Sequence, residues 1–235
     1  MEYKTELHSH STEISRCAKI NVRDSADQYI AAGYTTVVLT NHYCDYGFDV
    51  TRPWEDAIKR FLDPIHEMQA YAGDRLTVLP GAEVRNYESI NDYLILGATE
   101  EFFKENRYLF RFPLRVISRL VRESGALFIQ AHPFRDGMQI TNPALLDGIE
   151  IFNGASGHQS RNQFANEWAK DYGMIRTSGS DYHAIYDPIS GGILTEKPIR
   201  TPQDIRDTLR SGNYRLVCEG PAAERDGMQT MSAKE

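Results

Sequence analysis

Hydrophobic positions along the chain fall into two alternating kinds of stretch. Short runs rich in Val, Ile, Leu or Thr at 4–7, 35–40, 76–79, 93–97, 126–130, 148–152 and 174–177 read as strands. Their composition is that of parallel strands buried on both faces. Between them lie segments with helical spacing and helix punctuation. Asp24 can N-cap a helix over 25–32 that Gly33 ends, and Pro53 opens one that runs to Ala72 before Gly73. Pro113 opens another to Glu123 before Gly125, a fourth covers 160–172 before Gly173, and Pro202 opens a fifth to Leu209 before Gly212. Strand, helix, strand repeated this often predicts an α/β fold on a parallel sheet, open or closed. No Pro/Gly-rich linker divides 1–219, so a single domain is expected there. Residues 220–235 have no periodicity and read as a loosely ordered tail.

Composition narrows the class. The chain has 235 residues, 41% hydrophobic and 25% charged, which is globular and fits one α/β barrel of roughly 200–250 residues as well as two smaller domains. No window approaches the roughly 18 apolar residues of a membrane helix, and no signal peptide is visible. Three cysteines (Cys17, Cys44, Cys218) argue against a disulfide framework and for a reducing, cytoplasmic setting. A net charge of −7 argues against nucleic acid or an anionic membrane as partner.

The histidines carry the chemistry. His8 and His10 directly follow the first strand run, His42 the second, His132 the fifth and His183 the seventh; Glu83 follows the third, Glu150 and Asn153 end the sixth, and Asp181 follows the seventh. In a barrel of parallel strands all those ends converge on one face. Imidazoles with two or three carboxylates suit Zn, Mn or Fe, and His-x-His on an extended segment puts both rings on one side.

Six motifs occur in order: Leu7-His8-Ser9-His10-Ser11, Leu39-Thr40-Asn41-His42, Pro80-Gly81-Ala82-Glu83, Ala131-His132-Pro133-Phe134-Arg135, Glu150-Ile151-Phe152-Asn153 and Gly179-Ser180-Asp181-Tyr182-His183. In this order the chain resembles the PHP (polymerase and histidinol phosphatase) family over about residues 1–195. The resemblance implies a distorted seven-stranded, TIM-like (β/α)7 barrel with two or three divalent metal ions that hydrolyses phosphoesters. Carried over by position, His8, His10, Glu83 and Asp181 would hold one metal, Glu83 and His132 a second, and His42 and His183 a third.

The sequence departs from that pattern in places. Arg16 stands where the family offers another ligand, so Glu13 is the candidate substitute; Asp92 is a candidate where a fourth-strand histidine is often found. Asn41 replaces an aspartate, keeping hydrogen-bonding capacity but losing charge. Arg135 and Arg16 are candidate phosphate-binding residues. His183 or Asp181 could pass a proton to the leaving group. Cys17 and Cys44 flank the site, with a packed thiol as the default reading and a soft metal ligand as the alternative. His66 reads as a helix-face residue, and His158 as a loop residue near the site. Arg107, Arg111, Arg115 and Arg119 recur every four residues, a solvated basic face unless Pro113 breaks it.

The expected activity is release of phosphate from a small phosphorylated metabolite through a metal-bound hydroxide. The alternatives are a nuclease or oligonucleotide phosphatase, C–N hydrolysis, and a degenerate metal-binding module without turnover.

Overall fold

The computed structural model describes residues 2–48 and 51–234. Its elements run β1 (Tyr3–Glu6), α1 (Val22–Ala31), β2 (Tyr34–Leu39), β3 (His42–Tyr43), α2 (Trp54–Ala72), β4 (Thr77–Pro80), β5 (Ala82–Arg85), β6 (Asp92–Leu96), α3 (Glu100–Glu105) and α4 (Leu114–Glu123). They continue β7 (Leu127–Gln130), β8 (Gly148–Asn153), α5 (Asn162–Asp171), β9 (Ile175–Gly179), β10 (Ile193–Thr195), α6 (Pro202–Ser211), β11 (Arg215–Leu216), α7 (Gly220–Asp226) and β12 (Met231–Ser232). No described helix is long and apolar enough to cross a membrane.

Burial explains the apolar strand runs. Every residue of β6, β7 and β8 is buried. The long helix α2 lays Trp54, Ala57, Ile58, Phe61, Leu62, Ile65 and Met68 inward at helical spacing, against α1 and β4. Its C-cap is Gly73, in the left-handed region at φ 58°. One helix start differs from expectation. The N-cap of α1 is Asn21, whose Oδ1 accepts from the N–H groups of Arg23 and Asp24, both at 3.0 Å, so Asp24 lies in the first turn.

The closed barrel of parallel strands is not found. The strands form two six-stranded sheets, in the orders β12-β11-β10-β1-β2-β4 and β3-β5-β6-β7-β8-β9. Two features interrupt closure. At residues 40–41 and at Gly81 the β2–β4 ladder stops, and a new parallel pair, β3–β5, starts just beyond it. Only an isolated bridge, Ser9 with Tyr182, joins the segments after β1 and β9, because antiparallel β10 occupies the edge of β1. β6 is also antiparallel to both β5 and β7. Six residues link β5 to β6, too few for the crossover a parallel pair needs.

The expected loose tail is structured. β12 pairs with β11, α7 buries Ala222 and Ala223, and Met228 and Met231 pack on the core. Elements this short leave no readable period in the sequence.

Candidate metal centre

The site lies where β1, β3, β5, β7 and β9 end or pass. β1 leads into His8 and His10, with Leu7 fully buried below them. Beneath this turn the buried Glu6 accepts through one oxygen from the N–H groups of Leu7 (3.0 Å), His8 (3.0 Å) and Ser180 (2.9 Å). Burial pushes its carboxyl up to about 7 against those hydrogen bonds. His42 and Glu83 are register partners on β3 and β5. Tyr43 anchors β3 among Phe48, Phe61 and Phe110, at ring separations of 4.7, 4.9 and 5.4 Å. His132 and Asp181 follow β7 and β9 with φ of 27° and 51°. Such left-handed backbone in non-glycine residues is held by surrounding structure and concentrates at functional sites.

These placements bring seven donors together. His8 Nε2 lies 3.1 Å from His10 Nε2 and 3.3 Å from Asp181 Oδ1, and His10 Nε2 lies 3.2 Å from the same oxygen. Glu83 reaches His8 through Oε1 and His10 through Oε2, each at 3.4 Å. Its Oε1 also lies 3.1 Å from His132 Nε2. Three overlapping trios result: His8, His10 and Asp181; His8, Glu83 and His132; and His10, His42 and His183. The donor set fits divalent metal. Ligands held tetrahedrally at about 2.0–2.2 Å stand about 3.3–3.6 Å apart, close to the spacings here. His42 Nδ1 and Glu83 Oε2, 2.8 Å apart, complete no well-formed hydrogen bond, and His132 Nδ1 has no partner.

The charges follow from the crowding. Burial opposes ionisation of His8, but the carboxylates of Asp181, Glu150 and Glu83 hold it well above the ordinary imidazole range. Burial likewise opposes charge on Glu83 and Asp181. The neighbouring imidazoles, His42 and His8 for Glu83 and His8 and His183 for Asp181, nevertheless hold both well below the carboxylate range. Burial, with His183 and His42 close by, lowers His10 to about 3. A second layer holds the rings. Glu150 Oε1 lies 2.9 Å from His8 Nδ1, and its Oε2 accepts from the His132 N–H and from Asn153 Nδ2, both at 2.9 Å. Ser15 Oγ lies 3.1 Å from His10 Nδ1 and donates to Asn41 Oδ1 at 2.8 Å. Asn41 Oδ1 also accepts from the Ser11 N–H at 2.8 Å, so this amide ties the two loops together without needing charge.

Not every expected residue joins the cluster. Glu13 does not: its Oε1 accepts from the Val22 N–H at 3.2 Å, at the start of α1, and it belongs to none of the trios. Cys17 stands closer, with Sγ 3.2 Å from His42 Nε2 and 3.1 Å from His183 Nε2. Burial works against its thiolate, but hydrogen bonds from His183 and His42 bring the thiol down to about 6. Asp92 is clamped by Arg85 at 2.7 and 2.6 Å and stays 3.9 Å from His132 Nε2. Arg16 is exposed and lies over the Tyr46 ring, 6.0 Å from its centroid. Arg135 lines the cavity above the donors, a space of about 460 Å³ that Lys19, Arg85, His158 and Tyr186 also border. His158 lies 3.5 Å from Asp181 Oδ2.

Away from the site, His66 pairs with Glu100 at 2.6 Å. The arginine series is no continuous face: Arg111 pairs with Asp45 at 2.6 Å before Pro113, and α4 starts after it.

No family model matches the chain, and no curated protein matches it in sequence. Solved structures do. A two-domain protein from Bacteroides vulgatus containing a predicted PHP-like metal-dependent phosphoesterase superposes with a TM-score of 0.70 at 17% identity, over 93% of this chain and 65% of that one. PsfC from Pseudomonas syringae matches with a TM-score of 0.66 at 15% identity, over 86% and 87% of the two chains. The lesion-specific endonuclease EndoQ from Pyrococcus furiosus gives 0.64 at 15%, over 92% of this chain and 58% of its own. The chain thus spans about two thirds of the Bacteroides protein and less of the endonuclease. At these identities the likeness is one of fold, shared with a protein described as containing a predicted PHP-like metal-dependent phosphoesterase and with an endonuclease.

Proposed function

We propose that this protein is a metal-dependent phosphoesterase acting on a small phosphorylated molecule. The observation that carries this reading is the convergence of His8, His10, His42, Glu83, His132, Asp181 and His183, a set able to hold divalent ions, with the last five lining a cavity that has a cationic wall and His8 and His10 buried beneath it. Zn, Mn and Fe all suit such a nitrogen and oxygen set. Bound ions would supply Lewis acidity toward water and toward the charge that builds on a transferring phosphoryl group.

The chain's own residues do the rest. Arg135, with no ion pair among the described residues, presents a guanidinium to non-bridging phosphate oxygens, whereas that of Arg85 is already engaged by Asp92. Asp181 and His183 stand at the reacting centre, and His158 faces the same cavity, placed to hold a proton near a leaving oxygen. A cavity of about 460 Å³ is of small-molecule size. The net charge disfavours nucleic acid, but one structural neighbour is named an endonuclease. Oligonucleotides therefore belong in the test.

That test measures phosphate release from a panel of small phosphomonoesters and short 5′-phosphorylated oligonucleotides, before and after chelation and after reloading with each metal. Metal-restored release from small esters is expected. Metal-restored cleavage of oligonucleotides alone would replace this reading with the nuclease one, and no turnover by fully loaded protein would overturn both.

A further inference from the structure

Cys17 is the feature that the donor set above leaves unused. Its Sγ sits 3.2 Å from His42 Nε2 and 3.1 Å from His183 Nε2. Each ring turns its other nitrogen to an acceptor: His42 Nδ1 lies 2.8 Å from Glu83 Oε2, and His183 Nδ1 lies 2.8 Å from the Asp181 carbonyl. A histidine whose Nδ1 faces a carboxylate or carbonyl while its Nε2 faces outward has the arrangement of a metal ligand. His42 and His183 already form a metal-capable trio with His10, whose ring lies 4.6 and 4.3 Å from theirs.

We propose that Cys17 is a thiolate ligand of this outer subsite, completing with His42 and His183 a nitrogen and sulfur site beside the carboxylate-rich donors around Glu83. The proposal rests on the metal-centre reading above. It also explains how the loop does without Glu13, which is committed to the start of α1, and without Arg16, which cannot ligate. A thiolate with imidazoles is softer than imidazoles with carboxylates, so this subsite favours zinc-like ions over manganese or magnesium.

The test loads the whole chain with cobalt(II) and reads the near-ultraviolet thiolate-to-cobalt charge-transfer band together with cobalt per chain. Wild-type protein is expected to show the band. Cys17→Ser should lose the band and about one metal equivalent, while Cys44→Ser, whose sulfur is buried elsewhere, keeps both. Cys17→His should regain the equivalent without the band, which separates loss of a ligand from loss of the loop. Fully loaded wild-type protein with no thiolate band, or Cys17→Ser with both band and stoichiometry intact, would overturn the assignment of Cys17 and leave the metal centre standing. A wild-type chain that binds no cobalt would overturn the centre itself, and Cys17 with it.

Discussion

Glu150 and His8 form a buried pair, with Oε1 2.9 Å from Nδ1. The carboxylate fixes the ring so that Nε2 faces Glu83 and Asp181, and through its other oxygen it holds the backbone of His132. One side chain thus aims donors from two strand ends.

Glu150→Ala should therefore weaken metal binding without removing a ligand. Loss of an orienting partner of this kind costs about 10–100-fold in affinity. Competition against a chromophoric chelator reads the change, and unaltered affinity would mean that the His8 ring needs no such support.

Arg135→Ala should leave metal content unchanged and lower kcat/KM. A charge-assisted hydrogen bond is worth about 1.5–3 kcal/mol, or about 10–150-fold. Steady-state kinetics on the best phosphoester, with metal analysis of the same sample, decides whether the guanidinium meets the substrate.

Gly179→Ala should damage the fold and the site together. A Cβ at Gly179 would stand 2.4 Å from His8 Cβ and 2.7 Å from Glu150 Oε1, so β9 and the first loop must part. Such overpacking costs about 1–3 kcal/mol. Denaturant unfolding should show the loss, accompanied by weaker metal binding.

The start of α6 gives a pH-dependent prediction far from the metal. Asp204 accepts from the N–H groups of Arg200 and Thr201 at 3.0 and 2.9 Å, while Thr201 Oγ1 accepts from the Asp204 N–H at 3.2 Å. Partial burial opposes the charge, yet these donors hold Asp204 below the usual aspartate range. A carboxylate so depressed stabilises the fold fully above its unfolded-chain value, and loses that contribution as pH falls through the folded one. Asp204→Ala should cost about 1 kcal/mol near neutrality, with the gap to wild type closing in acid, as followed by unfolding at a series of pH values.

Much of the site was legible because strand ends are legible. His8, His10, Glu83, His132 and Asp181 each follow an apolar run, and a parallel arrangement brings such ends to one place whatever the details of closure. Loop paths are not encoded that way. Glu13 and Cys17 lie four residues apart, and Cys17 rather than Glu13 faces the histidines because Glu13 is bonded to the start of α1, a local choice no period records. The antiparallel β6 escaped for a similar reason: a buried strand has the same composition in either direction. Asn41 reads as a lost charge in sequence and as an amide with three hydrogen bonds in the fold.

Glu6 reaches across 174 positions to the Ser180 N–H, and four of the seven donors above this contact, His8, His10, Asp181 and His183, come from the same two distant stretches of chain. During synthesis the centre therefore cannot form before residues 175–183 have been made. A nascent chain exposes His8 and His10 early, but Asp181 and His183 join them only after β9 has emerged and docked. Metal capture by the complete donor set requires that β9 has docked beside β1, and an ion held there would tie the first strand to the ninth.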